Sequence, residues 1–550
     1  MKRGGVILLL LIATGLLAAE PRIVSLSPAT TELLCFLGGR EYLVGRSSVC
    51  NEPPDVESVP VVGDFALPFL EKVLSVRPTV VVTNDLVQPG VQTALQEEGI
   101  RLLNLPCRTM AEYLDAVMTL AEEIGNPEAA QWEAVRTKNA MELYARTARD
   151  CSILPIIWDS PLLIAGDNTI VQEFCRMAGA KPLPLDGNSG YYTPNDDWLL
   201  RANPDVILLL GPSLSVENHR ILRELDAVKQ GRVIKFPAVD LLERPGPRWT
   251  KGVQLLRELL PVEASETAGP APSLWRFRLW RLFAALVIGG ALSVAGGLFQ
   301  TIFRNPLASP YTLGVSSGAA TGAAVPLLLS LGMAFVPWFA FGGALLTLVL
   351  VLFFSGLGRR GSESLLLSGV IAGTILSSLL IYLISIADSD ELLGVTWWML
   401  GDLQAISPRG GVLLAALSAV SLIFIRCEAN DLNALALGDE GAVACGVNVR
   451  RLRLLMVIVA TLLTALSVSL AGIIGFVGLV VPHITRKIWG ANQRRLPLFT
   501  FLCGAFFLAL CDFISRWLNP VRQTPIGVVT ACLGGSVFLI LLLRNRRRLQ

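Results

Sequence analysis

Histidine is nearly missing from this chain: 550 residues hold only His219 and His483, so a histidine-built metal centre is excluded. The ten cysteines divide into Cys35, Cys50, Cys107, Cys151 and Cys175, then Cys427, Cys445, Cys503, Cys511 and Cys532. No CxxC and no paired spacing occurs among them, which excludes a zinc ribbon and a disulfide framework. Neither GxGxxG nor GxxxxGK[ST] is found, so a dinucleotide site and a built-in ATPase are both unsupported. No basic tract interleaves with aromatics, and nucleic acid is not expected as a partner. Charge is also scarce, at 16% of residues against about 25% in a typical soluble chain.

The charge deficit is local. Residues 21 to 265 hold most of the Asp, Glu and Lys, whereas after Trp275 the only lysine is Lys487 and apolar runs follow one another. A soluble half therefore precedes a membrane half. Met1-Lys2-Arg3, the apolar run Val6 to Leu17 and Ala18-Ala19-Glu20 have the charged, hydrophobic and small-residue regions of an export signal. Residues 1–20 read as a signal peptide or as an uncleaved signal-anchor helix, and both remain open.

From Pro21, short β-branched runs alternate with amphipathic stretches. Strands are expected at Arg22 to Leu26, Pro60 to Val62, Thr79 to Thr83, Leu154 to Trp158, Val206 to Leu210 and Val233 to Phe236. Such alternation gives βαβ units and a mostly parallel sheet. Residues 111 to 150 carry helix formers without a strand signal and are expected to form one long connecting helix. Two α/β lobes on one connecting helix enclose a cleft, where small ligands bind.

Arg22-Ile-Val-Ser-Leu-Ser-Pro-Ala-Thr-Thr-Glu32, Gly63-Asp64 with Leu70-Glu71-Lys72, Arg77-Pro78-Thr79-Val80-Val81, and Glu243-Arg244-Pro245-Gly246-Pro247-Arg248 carry a resemblance. Over residues 21–262 the chain resembles the periplasmic binding proteins for vitamin B12 and iron chelates. The resemblance implies a cleft lined by Phe65, Asn84, Trp158, Tyr191, Tyr192, Asp240 and Arg244. Positions where vitamin B12 binders tend to place aromatics hold Val49 and Asn84. Tyr191-Tyr192, after Gly187-Asn-Ser-Gly190, either coordinates ferric iron or haem through a phenolate or merely caps the lobe. Arg244 either recognises an anion or forms a structural ion pair with Asp240.

A linker, 263–276, leads to a domain expected over 277–550. Nine apolar spans fall at about 281–303, 311–332, 334–357, 364–387, 409–426, 453–472, 474–489, 497–517 and 525–543. Cationic clusters at Arg359-Arg360, Arg450-Arg451-Arg453, Arg486-Lys487 with Arg494-Arg495, and Arg544 to Arg548 all fall on the cytoplasmic face by that count. The binding domain then lies outside a bacterial inner membrane.

Phe303-Arg-Asn-Pro-Leu-Ala-Ser-Pro310, Ala436-Leu-Gly-Asp-Glu-Gly-Ala442 to Gly446-Val-Asn448, and Gly475 to Arg486 with Pro525-Ile-Gly-Val-Val are similar to the permeases of vitamin B12 and iron-chelate importers. That resemblance implies a type II ABC importer working as a homodimer. It implies docking of acidic residues Glu71 and Asp197 on Arg278, Arg281 and Arg516. It also implies a loop held by a separate cytoplasmic ABC ATPase, through Leu437, Gly438, Asp439, Glu440, Ala442, Gly446 and Val447.

The fold class expected is thus multidomain: an α/β two-lobed periplasmic binding domain followed by an all-α polytopic permease. The function expected is ATP-driven import of a siderophore, haem or cobalamin, with no permanently bound cofactor, ATP acting through the partner and no enzyme activity in this chain. The alternative is a membrane-anchored chelate sensor or scavenger.

Overall fold

The structure, a computed structural model, describes residues 20–84, 87–145, 149, 151–159, 161–181, 183, 185, 187–211, 214–216, 219–261, 274–329, 331–356, 362–387, 389–404 and 406–546. The signal reading of residues 1–19, the linker up to residue 273, the Arg359-Arg360 pair and Arg547-Arg548 lie outside the described residues. The described residues form two compact units, one drawn from Met1–Tyr192 with Ala202–Pro270 and one from Thr193–Arg201 with Ala271–Gln550.

In the first unit, β1 (Ile23–Ser25), α1 (Pro28–Phe36), β2 (Leu43–Ser47), β3 (Val61–Asp64), β4 (Leu67–Pro68), α2 (Leu70–Ser75), β5 (Val80–Thr83), α3 (Pro89–Glu97) and β6 (Arg101–Asn104) build one lobe. Its sheet runs β4-β3-β2-β1-β5-β6, parallel throughout except for the β3–β4 hairpin. Val80, Val81 and Val82 are fully buried, because a central parallel strand is covered on both faces and needs apolar side chains on both.

The helical stretch that follows is divided. α4 (Met110–Glu123) and α5 (Pro127–Ala145) replace the single helix expected over 111–150, and α5 is the connector. α4 starts at Thr109, whose hydroxyl accepts from the Glu112 amide at 3.2 Å, a helix N-cap. It ends because Gly125 is left-handed, φ +70, and Pro127 has no amide hydrogen with which to continue the ladder.

The second lobe contains β7 (Ile153–Asp159), β8 (Leu162–Ala165), α6 (Ile170–Met177), β9 (Tyr191–Tyr192), β10 (Val206–Leu209), α8 (Asp226–Lys229), β11 (Val233–Lys235), α9 (Asp240–Glu243) and α10 (Trp249–Leu259). Between β9 and β10 in the chain lies α7 (Asp196–Ala202), which falls almost wholly in the second unit. The sheet order is β11-β10-β7-β8-β9, with β8 and β9 antiparallel additions to a parallel core. Trp249 is 1% exposed and stacks on Phe174 at 6.0 Å, fixing α10 to α6.

His219 shows how burial sets a pH response in this lobe. Its Nδ1 accepts from the Leu222 amide at 3.4 Å, which requires the neutral ring, and burial holds its pKa down at about 4. The unfolded chain takes up that proton near pH 6.5, so between pH 4 and 6.5 the unfolded state binds more protons and stability rises with pH. Acidifying residues 21–262 from pH 6.5 to 4 should therefore cost about 3 kcal/mol through this group alone. Denaturant melts of the wild type and His219→Asn across that range test it: the difference between their pH curves should vanish above pH 7 and grow below 6.

The second unit is helical: α11 (Leu274–Ile302), α12 (Val315–Leu328), α13 (Val336–Phe354), α14 (Ser362–Ser385), α15 (Ser389–Met399), α16 (Pro408–Cys427), α17 (Ala429–Leu437), α18 (Asp439–Ala444), α19 (Val449–Ala471), α20 (Val477–Trp489), α21 (Leu496–Leu518) and α22 (Ile526–Arg546). A helix overlies each of the nine expected apolar spans. Six of them, α11, α13, α14, α16, α19 and α21, are long and apolar enough to cross a membrane, while α12 and α22 contribute shorter apolar stretches. α11 is the hub, packed on α16, α19, α20 and α21, and 78% of its most apolar stretch is buried. Its glycines permit this: a Cβ on Gly296 would lie 1.8 Å from the Gly478 carbonyl oxygen, so the two backbones touch directly.

Candidate functional site

In the first unit the parallel strands bring their C-terminal ends to common edges, the usual ligand position in open α/β sheets. β1, β2, β3 and β5 end at Ser25, Ser47, Asp64 and Thr83. The turns beyond them carry Val49, Asn51, Phe65 and Asn84. In the second lobe, Trp158 lies at the end of β7, and the chain after β11 carries Asp240 and Arg244. Arg244 joins these two edges: one amino group donates to Asn51 Oδ1 at 2.7 Å and the other lies 3.2 Å from Asp240 Oδ1. The guanidinium is thus engaged as an ion pair, one of the two roles left open for it.

Phe65 is 40% exposed, and Val49, Leu67 and Phe69 on neighbouring turns are similarly exposed. Leu67 and Phe69 were not expected from sequence; the signal available was a two-residue hairpin flanked by apolar residues. Ser48 Oγ donates to Asp64 Oδ1 at 2.6 Å, which ties the Val49 and Phe65 turns together. Asn84 keeps a buried Oδ1 without a hydrogen-bond partner among the described residues. An unpaired buried acceptor is costly and gives the cleft a point at which a donor on a ligand is favoured.

The two tyrosines separate. Tyr191 pairs with Ala165 and Tyr192 with Ile164 on β8, and alternation along a strand sends them to opposite faces. Tyr192 is 1% exposed, and a Cβ on Gly166 would meet its ring at 2.5 Å; it is a core side chain rather than a cleft lining. Tyr191 is 46% exposed, and β8 places it on the same face as Trp158, which pairs with Leu163. Desolvation, with Glu243 adding a smaller push, raises its hydroxyl to about 12, so at neutral pH it is a phenol that donates. Among the described residues no group of three or more His, Cys, Asp and Glu is placed to hold a metal ion.

Sequence reasoning missed Arg248. Its guanidinium grips Glu32 of α1 with two bonds of 2.7 and 2.9 Å and lies 3.4 Å from Glu52. Glu32 itself is 6% exposed. This pair and the Arg244 contact fasten the segment following β11 to the first lobe. A Cβ on Gly246 would stand 3.2 Å from the Glu32 carboxylate, which explains the small residue between the two arginines.

Two further clusters lie in the second unit. Asp197 on α7 accepts from Arg278 Nε at 2.8 Å and has Arg516 at 3.9 Å. Backbone bonds from Asn195 to Val521 at 2.7 Å and from Gln523 to Thr193 at 2.9 Å flank that contact. Arg281 is placed differently from the docking role expected of it. Its Nε bonds Asp512 at 2.6 Å, with 12% and 1% of the two side chains exposed, so it is an internal ion pair of α11 and α21. Glu71 lies exposed in the first turn of α2.

At the second cluster, α17 and α18 form the hairpin between α16 and α19. Leu437 is 83% and Val443 63% exposed. Glu440 and Gly446 are also exposed, whereas Gly438, Ala442 and Val447 are buried and support the hairpin. Arg453, grouped by sequence with the free cations, is 4% exposed and bonds Asp439 at 2.7 Å.

An α/β cleft domain and a polytopic helical domain in one chain define a membrane-transport protein with its own binding module. The sequence profile of the FecCD transport family matches residues 254–544, and that of the family described as periplasmic binding protein matches 23–239. The chain belongs to the FecCD transport family. It is 38% identical over 284 residues to the uncharacterized ABC transporter permease protein YvrB of Bacillus subtilis, covering 50% of this chain and 79% of that protein. It is 37% identical over 325 residues to the vitamin B12 import system permease protein BtuC of Citrobacter koseri, covering 56% of this chain and 97% of that protein. Among solved structures, the periplasmic haem-binding protein BhuT in complex with two haems matches at 21% identity and a TM-score of 0.39, covering 44% of this chain and 98% of that one.

Proposed function

We propose that this chain supplies both the substrate-binding and the membrane-permease components of an ABC importer for a metal chelate, whether corrinoid, haem or ferric siderophore. Residues 21–262 serve as the extracytoplasmic binding domain and 277–550 as the permease, which works as a homodimer in the bacterial inner membrane. ATP is hydrolysed by a separate cytoplasmic subunit that holds the exposed tip at Leu437. The observation that carries this reading is the occurrence, in one chain, of the binding-protein profile over 23–239 and the permease profile over 254–544.

The cleft's chemistry agrees. Val49, Phe65 and Tyr191 offer apolar surface and Asn84 an unpaired acceptor, and an anionic group on the ligand would compete with Asp240 for Arg244, a mixture suited to a large, partly apolar chelate. Acidic residues Glu71 and Asp197 steer the two modules into register on Arg278 and Arg516, and tethering raises their effective concentration.

Titrating residues 21–262 with cobalamin, haem and several ferric siderophores, read by tryptophan fluorescence and ligand absorbance, tests the cargo. Saturable binding of one of them is expected; no binding of any sinks the chelate reading. Reversing charge at Glu71 and Asp197 together should abolish uptake of that ligand in cells while leaving its affinity unchanged, and unaltered uptake refutes the docking role.

A further inference from the structure

One contact at the exposed hairpin comes from a motif with no role assigned so far. Asp439 opens α18. Its Oδ2 accepts from Arg453 Nη2 at 2.7 Å, and its Oδ1 lies 3.8 Å from Arg304 Nη2, with no direct hydrogen bond among the described residues. Arg304 belongs to the Phe303 to Pro310 motif directly after α11 and has a left-handed backbone, φ +49, which is uncommon for a residue with a side chain. Its amide donates to the Thr301 carbonyl at 3.3 Å, so the turn that aims its side chain is built on the end of α11.

On the other side, Gly438 has φ +126 and ψ +160, a conformation essentially confined to glycine. A Cβ there would stand 3.1 Å from Arg304 Nη1. Both the backbone of Arg304 and the lack of a side chain at 438 thus serve one end: bringing that guanidinium against the start of α18. α17 has its own anchor, since the Gln493 amide donates to Asn433 Oδ1 at 2.9 Å. α18 is seated by Ala442 and Val447 in the helical core, and the Asp439 carboxylate ties its first turn to Arg453 and Arg304.

We infer that Arg304 is a positioning residue for the coupling loop: with Arg453 it clamps Asp439 from two sides, so that displacement of the α11 end is passed to the ATPase-facing tip through one carboxylate. The inference rests on the reading of that tip as the ATPase contact. Arg453 is buried and fixed, while Arg304 is half exposed, 47%, which makes it the half of the clamp that opens.

The test uses the full-length chain in lipid nanodiscs, with a spin label on exposed Cys445, just after α18, and with Cys427 and Cys532, the other exposed cysteines, replaced by serine. Arg304→Gln should raise the mobile fraction of the label, by up to about fivefold for loss of a half-exposed ion pair, and Arg304→Lys should restore it. The melting temperature should stay that of the parent. Unchanged mobility in Arg304→Gln, or equal loosening by Gln and Lys, overturns the clamp. ATP hydrolysis by the ATP-binding subunit co-purified from the native membrane separates the two readings. A looser label with reduced substrate-stimulated hydrolysis supports both; a looser label with unaltered hydrolysis supports the clamp and overturns the coupling role.

Discussion

Gly296→Val is expected to abolish assembly of the membrane unit. Even the first added carbon would sit 1.8 Å from the Gly478 carbonyl oxygen, well inside van der Waals contact, and the obstacle is backbone that no rotamer change can clear. α11 and α20 would have to separate by more than an ångström, and α11 also packs on α16, α19 and α21, so the strain spreads through the hub. Overpacking in a well-packed interior typically costs about 1–3 kcal/mol; a clash with backbone lies beyond that range. Detergent-solubilised Gly296→Val should elute as aggregate on size exclusion, whereas Gly342→Val, where an added Cβ meets nothing within 4 Å, should elute as the wild type. A monodisperse Gly296→Val peak with the parent melting temperature would show that the helices are not in direct contact there.

The second large effect is expected at Arg281. Removing it leaves Asp512, which is 1% exposed, with Arg516 at 3.0 Å as its one remaining ion-pair partner among the described residues. Breaking one partner of a buried ion pair costs about 3–5 kcal/mol, while replacing both partners with apolar groups is often neutral. Arg281→Met should therefore lower the melting temperature strongly, and the double substitution Arg281→Met with Asp512→Leu should recover more than half of the loss. Arg278→Ala, by contrast, removes a bond between side chains 34% and 16% exposed, with Arg516 still 3.9 Å from the carboxylate, and should lower the melting temperature less than Arg281→Met while weakening the hold on Asp197. If Arg278→Ala and Arg281→Met destabilise equally, the distinction between the part-exposed pair at Arg278 and the buried pair at Arg281 fails.

The residues explain which parts of this architecture were legible beforehand. β5, β7 and β10 announce themselves because buried parallel strands are near-continuous apolar runs, and a parallel core with helical connections follows from them. β2, Leu43-Val-Gly-Arg-Ser47, was hidden because it mixes glycine and arginine; Arg46 is nonetheless buried, its guanidinium spent on the carbonyls of Val59, Cys50 and Glu57. β6 lies at a sheet edge with both ends exposed, and β8 and β9 are short antiparallel additions whose pairing depends on the turn at Gly187 to Gly190. The helical stretch from 111 read as one element because its composition is uniform; only Gly125 and Pro127 mark the break.

The site divided in the same way. Phe65, Asn84, Trp158, Tyr191 and Arg244 came from the sequence through the family resemblance, and the structure places them at or near strand ends. Sequence could not say that Tyr192 faces the core, since the register against Ile164 sets that. Nor could it pair Arg248 with Glu32 or Arg281 with Asp512, partners 216 and 231 residues apart.

Hydropathy, strand and helix periodicity and turn residues act over a few positions, so the sequence by itself determined the two solvents and the α/β and all-α classes, while its motifs carried the family resemblance. Which charges are buried, which glycines touch backbone, and which way each arginine points depend on contacts closed over hundreds of residues. Those were decided only when the tertiary structure brought the partners together, because the worth of a charge depends on the dielectric and the counter-charge around it.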